Sequence, residues 1–177
     1  SINSRELYTR LAQRVIMRLG AQTLSGRLYE IDMRLRPSGE SGFLVSSMEA
    51  FESYERKDAW TWEHQALVRA RAVAGSAKLQ GEFDMLRANI LSSPRDPAAL
   101  IKDVSSMRTR MRNEFAKKPS SERSKLSFII KHSFGGIVDI EFMVQYLVLA
   151  NCSAHPELLS YPDNVRILEA ARAAELL

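Results

Sequence analysis

The stretch from Arg27 to Arg36 holds the most chemistry for its length. Tyr29, Ile31, Met33 and Leu35 alternate strictly with Glu30, Asp32, Arg34 and Arg36. A period of two predicts a strand, because successive side chains point to opposite faces. Four apolar groups then enter a core, and two carboxylates followed by two guanidinium groups share the other face. Same-face neighbours stand roughly 6–7 Å apart, twice the rise per residue. That order suits phosphoryl or nucleotidyl transfer. Mg²⁺ prefers carboxylate oxygen and keeps water and substrate phosphate in its shell. Arginines further along the face can grip phosphate through paired hydrogen bonds. One strand cannot build a two-metal site, which needs several converging carboxylates. The same residues also fit a solvent-facing strand whose charges pair with a neighbour, an arrangement worth little energy.

Other groups carry two readings each. Lys131, Asp139 and Glu141 surround the pair Gly135-Gly136. The glycines could let backbone approach a nucleotide, with Lys131 on phosphate and Asp139 nearby. Equally, Asp139 belongs in the first turn of a helix with no ligand at all. Arg69 and Arg71, with Glu63, either line a nucleotide cleft or form an ion-pair network between helices. Trp60 and Trp62 read as packing anchors. Met17, Met107, Met111 and Met143 lie on helical stripes and read as core. His64 and His155 lack metal-ligand spacing, and Cys152 has no neighbour that would activate a thiol. Arg108, Arg110 and Arg112 read as a solvated helix surface.

These residues need elements to hold them. Leu7, Leu11, Val15 and Leu19 recur at helical spacing behind Ser4. Pro37-Ser38-Gly39 and Gly42 supply turn residues, and Phe43 to Val45 is the expected hairpin partner of the 27–36 strand. Ser46 with Glu49 has the capping-box spacing. Helices follow from about Trp60 to Arg69 and along Leu79, Phe83, Leu86 and Ile90. Asp96-Pro97 starts another, which carries Leu100, Val104, Met107, Met111 and Phe115. Residues 117–125 read as a linker, and 126–130 as a short strand-like run. Ile137 to Ala150 is apolar on most sides and predicts a buried helix. Asp163 caps a last helix that should run to Leu177, so the sequence reads as a cut from a longer protein.

The chain has 177 residues, 45% hydrophobic and 26% charged, enough apolar material for a core. No apolar run reaches the ~20 residues needed to span a bilayer, and the start lacks signal-peptide order. A lone cysteine fits a reducing compartment. The expectation is a cytoplasmic protein without a membrane partner. The net charge of +4 could favour phosphates or an acidic partner. However, the basic residues are dispersed, and no nucleic-acid partner is expected.

The segment Leu28 to Gly39, the segment Trp60 to Arg71 and the segment Gly135 to Phe142 resemble, in this order, signatures of the bacterial glutamine synthetase adenylyltransferase family. The resemblance implies an α+β fold: residues 1–46 as the end of a nucleotidyltransferase sheet of the polymerase-beta-like kind, and 47–177 as a helical bundle. It implies AMP transfer from ATP to a tyrosine of glutamine synthetase, with a PII signal protein regulating the parent. The Tyr29-Glu30-Ile31-Asp32 wording, the Trp60 segment and Asp163 to Glu169 are closer to the adenylylating C-terminal half than to the deadenylylating phosphorylase half. Asp32 would be the third metal-site aspartate, assisted by Glu30. Candidate phosphate or nucleotide contacts are Arg34, Arg36, Arg69, Arg71 and Lys131. The family's other two aspartates follow a glycine-serine motif that has no counterpart here. A PII uridylyltransferase and a non-catalytic helical interaction module are the rival readings.

Overall fold

A computed structural model of the chain describes residues 4–116 and 129–177. The linker expected at 117–125, and all but Ile129 and Ile130 of the strand-like run, lie outside the described residues. The rest is mostly helical, with one two-stranded sheet. The chain divides into two units, Ser1–Ala59 and Trp60–Leu177.

The first unit opens with α1 (Ser4–Leu19), as the spacing of its apolar residues predicts. Leu7, Leu11 and Val15 nevertheless stay exposed. A two-residue hairpin follows, β1 (Gln22–Thr23) antiparallel to β2 (Gly26–Arg27). The strand expected over 27–36 is therefore corrected: only Arg27 joins a ladder, and Tyr29 to Arg34 form no regular element. Ile31 and Met33 are half-buried while Asp32 and Arg34 are exposed, so part of the alternation survives. Tyr29 and Leu35, expected inside, are exposed.

The reason is the loop behind that segment. Arg36 donates from Nε to Gly42 O at 3.2 Å, from Nη2 to Glu40 O at 3.0 Å, and from Nη1 to Met33 O. Three carbonyls on one guanidinium close 33–42 into a pinned turn, and Phe43 to Val45 do not come alongside as a strand. Gly42 is required there, since a Cβ would sit 1.8 Å from Pro37 O. The unit ends in α2 (Met48–Lys57), whose cap is Ser47 rather than Ser46: Ser47 Oγ accepts from Ala50 N at 3.2 Å.

The second unit is helical. It holds α3 (Thr61–Val68), α4 (Ala77–Leu91), α5 (Pro97–Ala116), α6 (Ile137–Asn151) and α7 (Asn164–Ala173). Its core draws Leu67 and Val68 from α3, and Leu86, Ile90 and Leu91 from α4. Leu100 and Val104 of α5, Val138, Val144, Val148 and Leu149 of α6, and Ile167 of α7 belong to it too. Arg87 braces this core: Nε donates to Leu67 O at 3.0 Å, Nη2 to Val68 O, and Nη1 to Leu159 O at 3.1 Å. A buried cation on the last carbonyls of α3 also faces the negative end of that helix. Cys152 is buried and donates to Leu91 O at 3.1 Å, and burial pushes its thiol pKa up, so it is an inert packing group.

Further expectations change. Ile137, Ile140 and Met143 leave one side of α6 exposed, and Met17 and Trp60 are exposed as well. Arg108 is buried, not solvated. The last helix stops at Ala173, four residues before Leu177. There Glu175 takes φ 57°, with Leu176 N on Ala171 O at 3.0 Å and Glu175 N on Arg172 O at 3.1 Å. That is a Schellman stop, hidden in the sequence because glutamate occupies the position where glycine usually signals it. No helix among the described residues is long and apolar enough to cross a membrane.

Candidate functional site

The polar face of the Asp32 segment survives the loss of the strand. Glu30, Asp32, Arg34, Arg36 and Glu40 line a shallow concavity of about 820 Å³, with Ile31 and Met33 beneath. Asp32 is held by its neighbour two residues on. Its Oδ1 accepts from Arg34 N at 2.9 Å and from Nε at 3.0 Å. Its Oδ2 accepts from Nε at 3.0 Å and from Nη2 at 2.5 Å. These side-chain bonds, and then the Arg34 backbone N–H, lower the Asp32 pKa to about 2. The carboxylate is therefore fully charged at neutral pH, as a metal ligand must be.

As a donor set for Mg²⁺ the fit is good in kind and short in number. Asp32 and Glu30 are exposed hard oxygen donors in one concavity. Among the described residues, however, no three histidines, cysteines or carboxylates gather where a metal could sit. The described residues offer these two oxygen donors here and gather no third ligand beside them.

The remaining candidates lie in the second unit. Arg69 Nη1 pairs with Glu141 Oε1 at 2.6 Å, joining the end of α3 to α6. Glu63 Oε2 accepts from Trp60 N at 2.9 Å and caps α3. The first contact ties two helices together and the second caps one. Arg71 and Lys131 are exposed.

A model of the family described as glutamate-ammonia ligase adenylyltransferase matches residues 1–86. A bifunctional glutamine synthetase adenylyltransferase/adenylyl-removing enzyme of Pseudomonas aeruginosa is 50% identical over 184 residues, covering 100% of this chain. The chain belongs to this adenylyltransferase family. Relatives of the same description from Hahella chejuensis and Pasteurella multocida are 53% and 54% identical over 96% of it. The chain spans 17–19% of the length of these relatives.

Two of the three adenylyltransferase signatures, 28–39 and 60–71, lie inside the stretch the family model matches. The third, 135–142, folds into a closed turn at the start of α6. Gly136 N donates to Ser133 O at 2.9 Å, Ile137 N to Ile130 O at 2.9 Å, and Val138 N to Lys131 O at 3.1 Å. Gly135 N donates to Asp139 Oδ2 at 2.7 Å. The amides a phosphate would need are already used, so this is a structural turn and not an anion cradle. A Cβ on Gly136 would meet Ile130 O at 2.5 Å and Ser133 O at 2.9 Å. Both neighbours are backbone and cannot swing away. Gly136→Ala is expected to cost about 2 kcal/mol, measured as a lower urea midpoint at unchanged m-value.

Asp139 is the hub of this region. Its Oδ1 also accepts from Arg108 Nε and, at 3.2 Å, from Arg112 Nη2. Arg108 Nη2 reaches His132 O at 3.0 Å, tying α5 to the turn. Arg112 lies over the Phe134 ring at 3.5 Å. Sequence reasoning placed both arginines on a solvated face. The available signal was their spacing: residues 104, 108 and 112 share the helix side that holds buried Val104.

Proposed function

We propose that this stretch belongs to the adenylylating half of its parent enzyme, which transfers AMP from ATP to a tyrosine of glutamine synthetase. Identity near 50% along the whole chain to bifunctional adenylyltransferase/adenylyl-removing enzymes supports the parent, and the wording of Tyr29 to Asp32, of the Trp60 segment and of Asp163 to Glu169 carries the choice of the adenylylating half. Asp32, exposed and fully ionised, is the group that fits the chemistry. On this reading residues 1–46 belong to a nucleotidyltransferase core and residues 47–177 to a helical bundle.

Asp32 would hold Mg²⁺ with help from Glu30, and the ion's contribution is charge neutralisation at the phosphate under attack. Arg34 orients the carboxylate and lies next to where phosphate would sit. Arg36 acts as the loop brace. The parent works in the cytoplasm, with ATP, glutamine synthetase and a PII signal protein as its partners.

The chain alone is expected to incorporate no AMP above background into unmodified glutamine synthetase, with ATP and Mg²⁺ present. Its described residues gather no three carboxylates where a metal could sit, and such a site needs several. The full-length polypeptide is expected to do so under the same conditions. Turnover by the chain alone would show that Asp32 does not act with carboxylates from elsewhere. If Asp32→Asn in the full-length protein abolishes phosphate-dependent AMP removal and spares AMP addition, the deadenylylating reading replaces this one.

A further inference from the structure

A groove between α5 and α6, wholly within the second unit, has a volume of about 660 Å³, in the range of small-ligand pockets. Its walls are mostly apolar, with Ile101 and Val104 from α5 and Phe142, Met143 and Tyr146 from α6. Its charges do not balance. Among the described residues that line it, Arg108 and Arg112 face one carboxylate, Asp139. Both arginines share Asp139 Oδ1, while Oδ2 serves Gly135 N. One positive charge is left over. Nor are the donors used up: Arg108 Nη1 and Arg112 Nε are buried without a hydrogen-bond partner among the described residues. A buried donor left unpaired is costly and calls for an explanation. Two guanidinium groups beside an apolar wall meet both needs of an organic anion, a fork for its head and a dry surface for its body.

We infer that this groove binds a small carboxylic acid with an apolar body, its carboxylate on Arg112 and Arg108 and its body against Phe142 and Met143. Arg112, with its side chain 26% exposed, is the group able to turn its unpaired Nε–H toward an incoming head. Arg108, only 8% exposed, lies deeper and supplies charge. Ser105 and Thr109 bring exposed hydroxyls to the same groove and can donate to the second carboxylate oxygen. The site uses neither Asp32 nor a metal ion, so it does not depend on the function proposed above.

The test titrates the full-length polypeptide, carbon-13 labelled at its methionine methyls, with hydrocinnamate and with its neutral amide, hydrocinnamide. Met143→Leu identifies the Met143 signal. The acid is expected to shift that signal and to bind about tenfold or more tightly than the amide, the worth of one charge-assisted hydrogen bond. Arg112→Gln should remove most of that preference and leave the amide's affinity within about twofold of the parent's. Met143→Glu changes an exposed side chain and should weaken the acid about tenfold by like-charge repulsion, which covers the case that Arg112→Gln does not fold. Equal affinity for acid and amide would overturn the inference, as would no binding of the acid at all. So would acid binding that leaves the Met143 signal in place, or that keeps its full preference in the folded variants.

Discussion

Asp32→Asn in the full-length polypeptide is expected to lower kcat for AMP transfer roughly a thousandfold or more, at about tenfold per 1.36 kcal/mol of lost transition-state stabilisation. The amide keeps the side chain's volume but loses the negative charge that a hard cation requires. The fold should tolerate it. Asp32 is exposed and touches no core group, while its half-buried neighbours Ile31 and Met33 are unchanged. What does change is Arg34, which loses its counter-charge and has solvent to take its place. The thermal midpoint should therefore move little. Arg27→Ala, on the exposed β2 strand, should keep most of the activity. A variant with near-parental kcat, or one that is inactive only because it unfolds, would make Asp32 a surface charge and end the metal-site reading.

Asp139→Ala should instead act on stability. It is expected to cost about 3 kcal/mol, because it strands a buried guanidinium rather than removing a whole pair. The Arg108 side chain is only 8% exposed and already has Nη1 buried without a hydrogen-bond partner. Without Asp139 its only remaining acceptor in the turn is His132 O. Gly135 N loses its cap in the same substitution. Chemical denaturation at neutral pH should show the loss in the second unit, with the Asp32 region unaffected.

The pH dependence has a definite sign. Burial alone would raise the Asp139 pKa, but the Arg108 hydrogen bond, the Gly135 N–H and the two guanidinium charges outweigh it. They hold it below its ordinary 3.8. The unfolded chain therefore takes up a proton first, and the stabilisation is complete above 3.8 and lost as pH falls through the folded value. The gap between parent and Asp139→Ala should be constant near neutrality and narrow below that point. A gap that widens on acidification would show that the carboxylate is not what holds Arg108.

Most helices were legible because their signals are local. The apolar stripe of α1, the Asp96-Pro97 start of α5 and the Asp163 cap of α7 each depend on residues within a turn or two of one another. Asp96 Oδ2 does accept from Ala99 N at 2.7 Å, and Asp163 Oδ1 from Arg166 N at 3.0 Å. The stop of α7 was not legible, since its left-handed residue is Glu175. The exposure of Asp32 beside half-buried Ile31 and Met33 was also written in the alternation. The sequence by itself thus determined most of the helices, the Asp96 and Asp163 caps and the family.

Tertiary structure decided whatever depends on a partner far along the chain. A period of two says which faces a segment has, but a ladder also needs an adjacent strand, and the Arg36-pinned turn brings none alongside residues 29–34. Arg108 and Arg112 carry the same charge as their solvated neighbour Arg110. Only the packing of α5 against the turn before α6 places Asp139 within reach of the first two. The glycine pair at 135–136 was compatible with both an anion cradle and a closed turn. Carbonyls of Ile130, Lys131 and Ser133 settle it by accepting the amides an anion would need. Long side chains pair with whatever the fold brings close, and that proximity is not encoded in any local spacing.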